Sequence, residues 1–117
     1  MKPWGCGFTD EAIKELERLP VRERAAIMNA VEKLEALGPN LRFPHVSAVL
    51  GFPGLYELRP QAGRSRHRPL FAKFANVYVI LAVAPEARAN RRGFLSVVNQ
   101  AVEIKARFDH NEGPAND

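Results

Sequence analysis

The residues best equipped for chemistry lie in one run of the chain. From Leu58 to Pro85 there is no Asp or Glu, yet the run carries Arg59, Arg64, Arg66, Arg68 and Lys73, with His67 among them. A guanidinium pairs bidentately with phosphate and stacks on bases, which an ammonium cannot do. If the chain is extended from Gly63 onward, a period of two puts Arg64, Arg66 and Arg68 on one strand face. Three cations so placed repel one another unless an anion sits among them, so the spacing points to a polyanion site. The alternatives are a solvated basic surface, or arginines paired with the acids of a neighbouring element. Arg88, Arg91 and Arg92 follow a little later and add to the same balance.

Other reactive side chains are weaker candidates. His67 is the one imidazole inside the basic run, but strict alternation sets it opposite Arg66 and Arg68, and packing is the commoner use of such a residue. His45 follows Pro44 in a loop, and His110 falls in the tail. These three histidines lack the spacing of metal ligands, so no metal and no cofactor is expected. Cys6 is the single cysteine; it can form no intrachain disulfide, and no partner marks it as a nucleophile. Trp4 and Tyr56 have rings that can stack on bases, although such rings more often pack, Tyr56 under the sheet and Trp4 against helices.

The elements that must position these residues are legible from periodicity. A chain of 117 residues, 46% hydrophobic, fits one domain with an ordinary core. From Phe8 to Leu37 the pattern is helical, in two pieces. Thr9 can cap the first, with Asp10 and Glu11 in its first turn and Phe8, Ala12, Ile13, Leu16 and Leu19 along one face. Pro20 divides the run, Ile27, Ala30, Val31, Leu34 and Leu37 form the second stripe, and Gly38-Pro39 ends it. Asn40 to Pro53 reads as a loop. Leu55–Arg59, Arg66–Phe74 and Val77–Val83 read as strands of an antiparallel meander, with a tight turn at Ala75-Asn76 in which Asn76 takes positive φ. Pro69 is unusual within a strand and suggests a bulge, which leaves the face of Lys73 open. A last amphipathic helix, containing Phe94, Val97, Val98, Ala101 and Val102, reaches Phe108.

The fold class expected is therefore α+β: an N-terminal helical hairpin packed on a small antiparallel β-sheet, with a C-terminal helix. Residues 1–108 form the domain, and 109–117 a disordered tail. The formal net charge is +4, but it is uneven. Between Phe8 and Leu37 acids outnumber bases, so a near-neutral helical side faces a positive sheet side. The absence of an apolar leader, a membrane-length apolar window or a disulfide pair points to a cytoplasmic protein.

Three short segments carry a resemblance. Leu37-Gly38-Pro39-Asn40-Leu41, Gly54-Leu55-Tyr56-Glu57-Leu58-Arg59 and Arg68-Pro69-Leu70-Phe71-Ala72 are similar to the "LGP", "GLxELR" and "xRxLYxF" patterns of the RelE/ParE toxin superfamily, in its phage-derived HigB-like branch. The resemblance spans roughly Phe8 to Phe108 and implies the same order of elements. It also implies a type II toxin–antitoxin toxin: a metal-independent, ribosome-dependent mRNA endonuclease. Its partners would be mRNA on the ribosome and a cognate antitoxin, often a helix-turn-helix protein. By motif, Arg59 matches a basic residue on the family's second strand, Arg68 the arginine that opens the third strand and contacts the scissile phosphate, and Arg88 a basic residue after the last strand. These three are the expected catalytic residues, with Arg64, Arg66, Lys73, Arg91 and Arg92 as RNA-binding residues. Arg68→Ala is then expected to abolish activity without unfolding the protein.

The chain departs from the family pattern in two places. Leu81-Ala82-Val83-Ala84-Pro85 replaces the "HxFxKK" run that often leaves the last strand. Ungapped counting also puts Phe94 where ribonuclease members carry a tyrosine. These departures support an alternative, a non-enzymatic inhibitor such as a gyrase poison, or an inactive member.

Overall fold

The computed structural model describes residues 3–112, as β1 (Gly5–Phe8), α1 (Asp10–Glu17), α2 (Val21–Leu37), β2 (Val46–Ala48), β3 (Tyr56–Leu58), β4 (His67–Phe74), β5 (Val77–Pro85) and α3 (Arg91–Glu112). The hairpin helices begin and end where the sequence places their signals. The Thr9 hydroxyl accepts the Ala12 N–H at 3.0 Å, and Asp10 and Glu11 lie in the first turn, where the backbone dipole favours acids. Pro20 precedes α2, and the Gly38 N–H closes it on the Leu34 carbonyl. Gly38 has φ +52°, and a Cβ there would come within 2.5 Å of the Trp4 indole. Both its conformation and its space therefore call for glycine.

The meander of β3, β4 and β5 is present, inside a five-stranded sheet of order β1-β5-β4-β3-β2. The sheet is mixed, because β1 runs parallel to β5 with Gly5 opposite Val77 and Phe8 opposite Ile80. Gly5 and Gly7 conceal this strand in the sequence, since glycine has weak strand propensity. β2, within the stretch read as loop, is too short to show alternation. At the β4–β5 turn Ala75, not Asn76, takes positive φ, at 55°. Asn76 instead lends its carbonyl to the Gly5 N–H at 3.3 Å. α3 runs on to Glu112, so residues 109–112 continue the helix instead of starting a tail. The His110 side chain and residues 113–117 lie outside what the structure describes.

β4 and β5 change register between Leu70 and Phe71, and β3 pairs only with Phe71 and Leu70, stopping short of Pro69. The shift brings Lys73 out opposite Tyr78, on the hairpin face. Helices cover both faces of the sheet. Ile27, Val31 and Leu34 of α2 pack on Leu58, Phe71 and Ile80. Phe94, Val98, Ala101 and Ile104 pack on Leu70, Ala72 and Leu81 from the other side. Each fully buried Leu or Ile contributes about 1.5–3 kcal/mol. The expected positive sheet face is thus displaced to the ends of the strands.

Beyond Phe8, where β1 stops, side chains finish the edge of β5. The Thr9 hydroxyl donates to the Leu81 carbonyl at 2.7 Å, and the Glu15 carboxylate accepts the Val83 N–H at 2.9 Å. Burial pushes the Glu15 carboxyl above its ordinary range, while the Val83 N–H pulls it down.

Candidate nucleic-acid interface

The backbone is not extended from Gly63. Pro60–Gly63 form a tight 3-10 turn in which Gln61 and Ala62 have φ 57° and 56°. Arg64 is helical, and β4 begins only at His67. Arg64, Arg66 and Arg68 therefore share no strand face. Arg64 and Arg66 are exposed, while Arg68 is only 4% exposed.

Arg68 is held from all sides. Its guanidinium donates to the carbonyls of Ser65, His67 and Gly63, and to Glu86 Oε2 at 3.0 Å. Its Nε lies 3.8 Å from Glu57 Oε1. Burial and then the neighbouring Arg59 push its pKa below the ordinary arginine value, and Glu57 and Glu86 oppose this. The guanidinium thus clamps the turn before β4 to the loop after β5. The backbone joins them too, since the Glu86 N–H donates to the Arg66 carbonyl at 2.9 Å.

Arg59, just after β3, is half-buried. It donates to the Pro44 carbonyl and to Glu57 Oε1, each at 3.0 Å, and its guanidinium lies 5.0 Å from the centre of the exposed Phe43 ring. Glu57 and Glu86 stand just outside the acid-free run, at its two ends, and fold back onto it. A survey of the run alone misses them; their flanking positions were the available signal.

The remaining bases are differently placed. Arg64, Arg88, Arg91 and Arg92 are exposed, and among the described residues none makes an ion pair. Arg91 and Arg92 occupy the first turn of α3, which has no acid. Cations there face the positive end of the helix dipole, an arrangement an anion would relieve. Asn90 caps this turn by accepting the Gly93 N–H at 2.8 Å. Glu23 is held below the usual carboxylate range first by the hydrogen bond from His67, then by that from Ser65, and least by the charge of Arg66.

His67 is a joint between elements. Its Nδ1 lies 2.7 Å from Glu23 Oε1, and Ser65 Oγ donates to the same oxygen at 3.0 Å. Phe94 is buried in the α3-face core. Tyr56 is 38% exposed and stacked on Phe71 at 5.6 Å, so it lies partly open, not beneath the sheet. Trp4 packs against the hairpin as expected. Burial and the nearby Glu35 push the Cys6 thiol up to about 12, which keeps it protonated and unreactive near neutrality. No cluster among the described residues could hold a metal ion, and none of their helices is long and apolar enough to cross a membrane.

Residues 14–85 match the family described as Phage derived protein Gp49-like. No curated protein sequence matches the chain. Among solved structures, the free toxin RelE of E. coli, as a double arginine-to-alanine mutant, superposes with a TM-score of 0.63 at 19% identity, covering 88% of this chain and 97% of that one. The RelE–RelB complex of Pyrococcus horikoshii gives 0.57 at 20% identity, with 74% and 98% covered. The toxin–antitoxin complex RelBE2 of Mycobacterium tuberculosis gives 0.57 at 24% identity, with 74% and 95% covered. At these identities the likeness to solved structures is one of fold. With the family match spanning more than half of the sequence, the chain belongs to the phage-derived Gp49-like family and carries the RelE-superfamily fold.

Proposed function

We propose that this protein is the toxin of a type II toxin–antitoxin pair, acting in the cytoplasm on mRNA at the ribosome and restrained by a cognate antitoxin. The observation that carries the reading is the group of exposed arginines at one end of the sheet that have no ion-pair partner among the described residues, with Arg91 and Arg92 at a helix N-terminus. RelE proteins with this fold occur in complex with RelB antitoxins, which supports an antitoxin partner here.

In the cleaving form of this function, a 2′-OH of the RNA gives up its proton and attacks the adjacent phosphorus, closing a 2′,3′-cyclic phosphate while the bond to the next nucleotide's 5′-oxygen breaks and that oxygen takes up a proton. Exposed Arg88, Arg91 and Arg92 hold the phosphate and the charge that develops on it, with Arg64 and Arg66 along the strand's path. Arg59 reaches the site from its edge. Arg68 acts as a positioning residue, because its guanidinium is occupied by Glu86, Glu57 and the turn carbonyls. Lys73 lies on the hairpin face, apart from this cluster.

Two observations favour a second reading, a non-cleaving inhibitor of the same fold with DNA gyrase as its target. Phe94 offers no proton and is buried, and Arg68 has no free donor face. The deciding experiment is induced expression without a neighbouring gene, followed by mapping of mRNA 5′ ends. New ends inside translated codons are expected. Growth arrest with intact transcripts would replace the first reading with the second, and no arrest would remove both.

A further inference from the structure

On the hairpin face, two concavities lie side by side and share Leu41. The first, of about 320 Å³, is lined by Leu34, Pro39, Val46, Tyr56, Lys73 and Tyr78, among others. It is apolar, with an exposed aromatic ring and one ammonium at its rim. The second, of about 200 Å³, is lined by Asn29, Lys33, His45, Arg59, Gln61 and Arg64 together with small apolar groups, and no carboxylate lines it. Lys33 and Arg64 are exposed and make no ion pair among the described residues, while Arg59 is partly neutralised by Glu57.

The wall that presents Gln61 and Arg64 is strained. Gln61 and Ala62 both adopt left-handed φ, which non-glycine residues adopt at a cost. Two clamps keep the turn in that form. Arg68 donates to the Gly63 carbonyl, and the Arg59 guanidinium packs so closely that a Cβ on Gly63 would lie 2.5 Å from it. Strain maintained this way directs the two polar side chains into the second concavity. Along β3, Tyr56 serves the first concavity and Leu58 lines the second, two residues or roughly 7 Å apart.

We propose that this groove binds a short single-stranded RNA segment, stacking a base on Tyr56 and holding a neighbouring phosphate between Lys33 and Arg64. An aromatic platform beside an acid-free cationic cavity is how sequence-tolerant single-strand binding is built. Asn29 and Gln61 add amide donors and acceptors for sugar or phosphate oxygens. The groove lies on the hairpin side of the sheet, apart from Arg88, Arg91 and Arg92, and shares Arg59 and Arg64 with the strand path proposed above, so the RNA would continue from that site into a second contact. The proposal rests on the reading of mRNA as substrate.

The test uses the purified full chain and a fluorescent uridine hexaribonucleotide, with affinity read by anisotropy across a salt series. Lys33→Ala with Arg64→Ala is expected to weaken binding at least tenfold and to lower the salt slope by roughly 1–1.5. Tyr56→Leu, which keeps apolar bulk, is expected to weaken binding about 5- to 100-fold with the slope unchanged. Thermal melts confirm that each variant is folded. Wild-type affinity in both variants, or no binding by the wild type, overturns the groove. If both variants bind normally and transcripts are still cleaved on expression, the groove is wrong and the mRNA reading stands. If the groove variants lose binding but the wild type leaves transcripts intact, the groove stands and the cleavage reading fails.

Discussion

Arg68 is nearly inaccessible, and its guanidinium holds two carboxylates and three carbonyls together. Removing it leaves Glu86, with little solvent, without its counter-charge, and leaves Glu57 with Arg59 alone. Arg68→Ala should therefore cost roughly 3–5 kcal/mol in denaturant unfolding, whereas Arg88→Ala, on an exposed loop, should change stability by less than about 0.5 kcal/mol. This reverses the expectation drawn from sequence that Arg68→Ala spares the fold; an equal, small effect for both would restore it. The types and the clustering of the arginines were legible, because composition alone displays them. Their partners were not, because Glu23, Glu57 and Glu86 come close only through the fold. Strict alternation also failed at Arg64 and Arg66, since two left-handed residues turn the chain before β4 starts.

Among the elements, α1, α2, α3 and the β3–β5 meander were readable because each carries a periodic stripe or a cap. β1 was not, since its Gly5-Cys6-Gly7 start has no such stripe and its partner lies far along the chain. The end of α2 shows how tightly such elements are coupled. Gly38 stops the helix and leaves room for Trp4, which also donates its backbone N–H to the Glu35 carbonyl at 3.2 Å. Gly38→Ala combines a left-handed Cβ with overpacking against the indole. It should destabilise the protein by about 2–4 kcal/mol and shift Trp4 fluorescence. A change under about 0.5 kcal/mol would mean that the N-terminal segment moves aside freely.

At the scale of the whole molecule, Glu23 and His67 tie the hairpin to the sheet end that carries the basic residues. The His67 hydrogen bond is the largest influence holding the Glu23 carboxyl below its ordinary value. A carboxylate depressed by folding contributes stability above its unfolded pKa of about 4.3 and loses it as pH falls through the folded value. Glu23→Gln should accordingly lower Tm at pH 6–7, and the gap from wild type should close as pH drops below about 4. A gap independent of pH would assign the effect to packing. Glu15, whose carboxyl is raised by burial, acts with the opposite sign and is unaffected by this substitution. The α+β class and the single domain were legible from the order of patterns. The mixed sheet, covered on both faces, was not, because a parallel contact between strands about 70 residues apart, Gly5–Phe8 and Val77–Pro85, leaves no local trace.

That same contact governs when the molecule can exist. β1 lies near the start of the chain, and among the described residues its only sheet partner is β5. During synthesis the hairpin helices emerge with the apolar face that packs on Phe71 and Ile80 uncovered, and they wait for β4 and β5 before the sheet can close beneath them. A chain that is still growing is therefore an unfinished object until most of its length is out. The sheet end that carries the exposed arginines is assembled only after β5 has left the ribosome, late in the life of the growing chain.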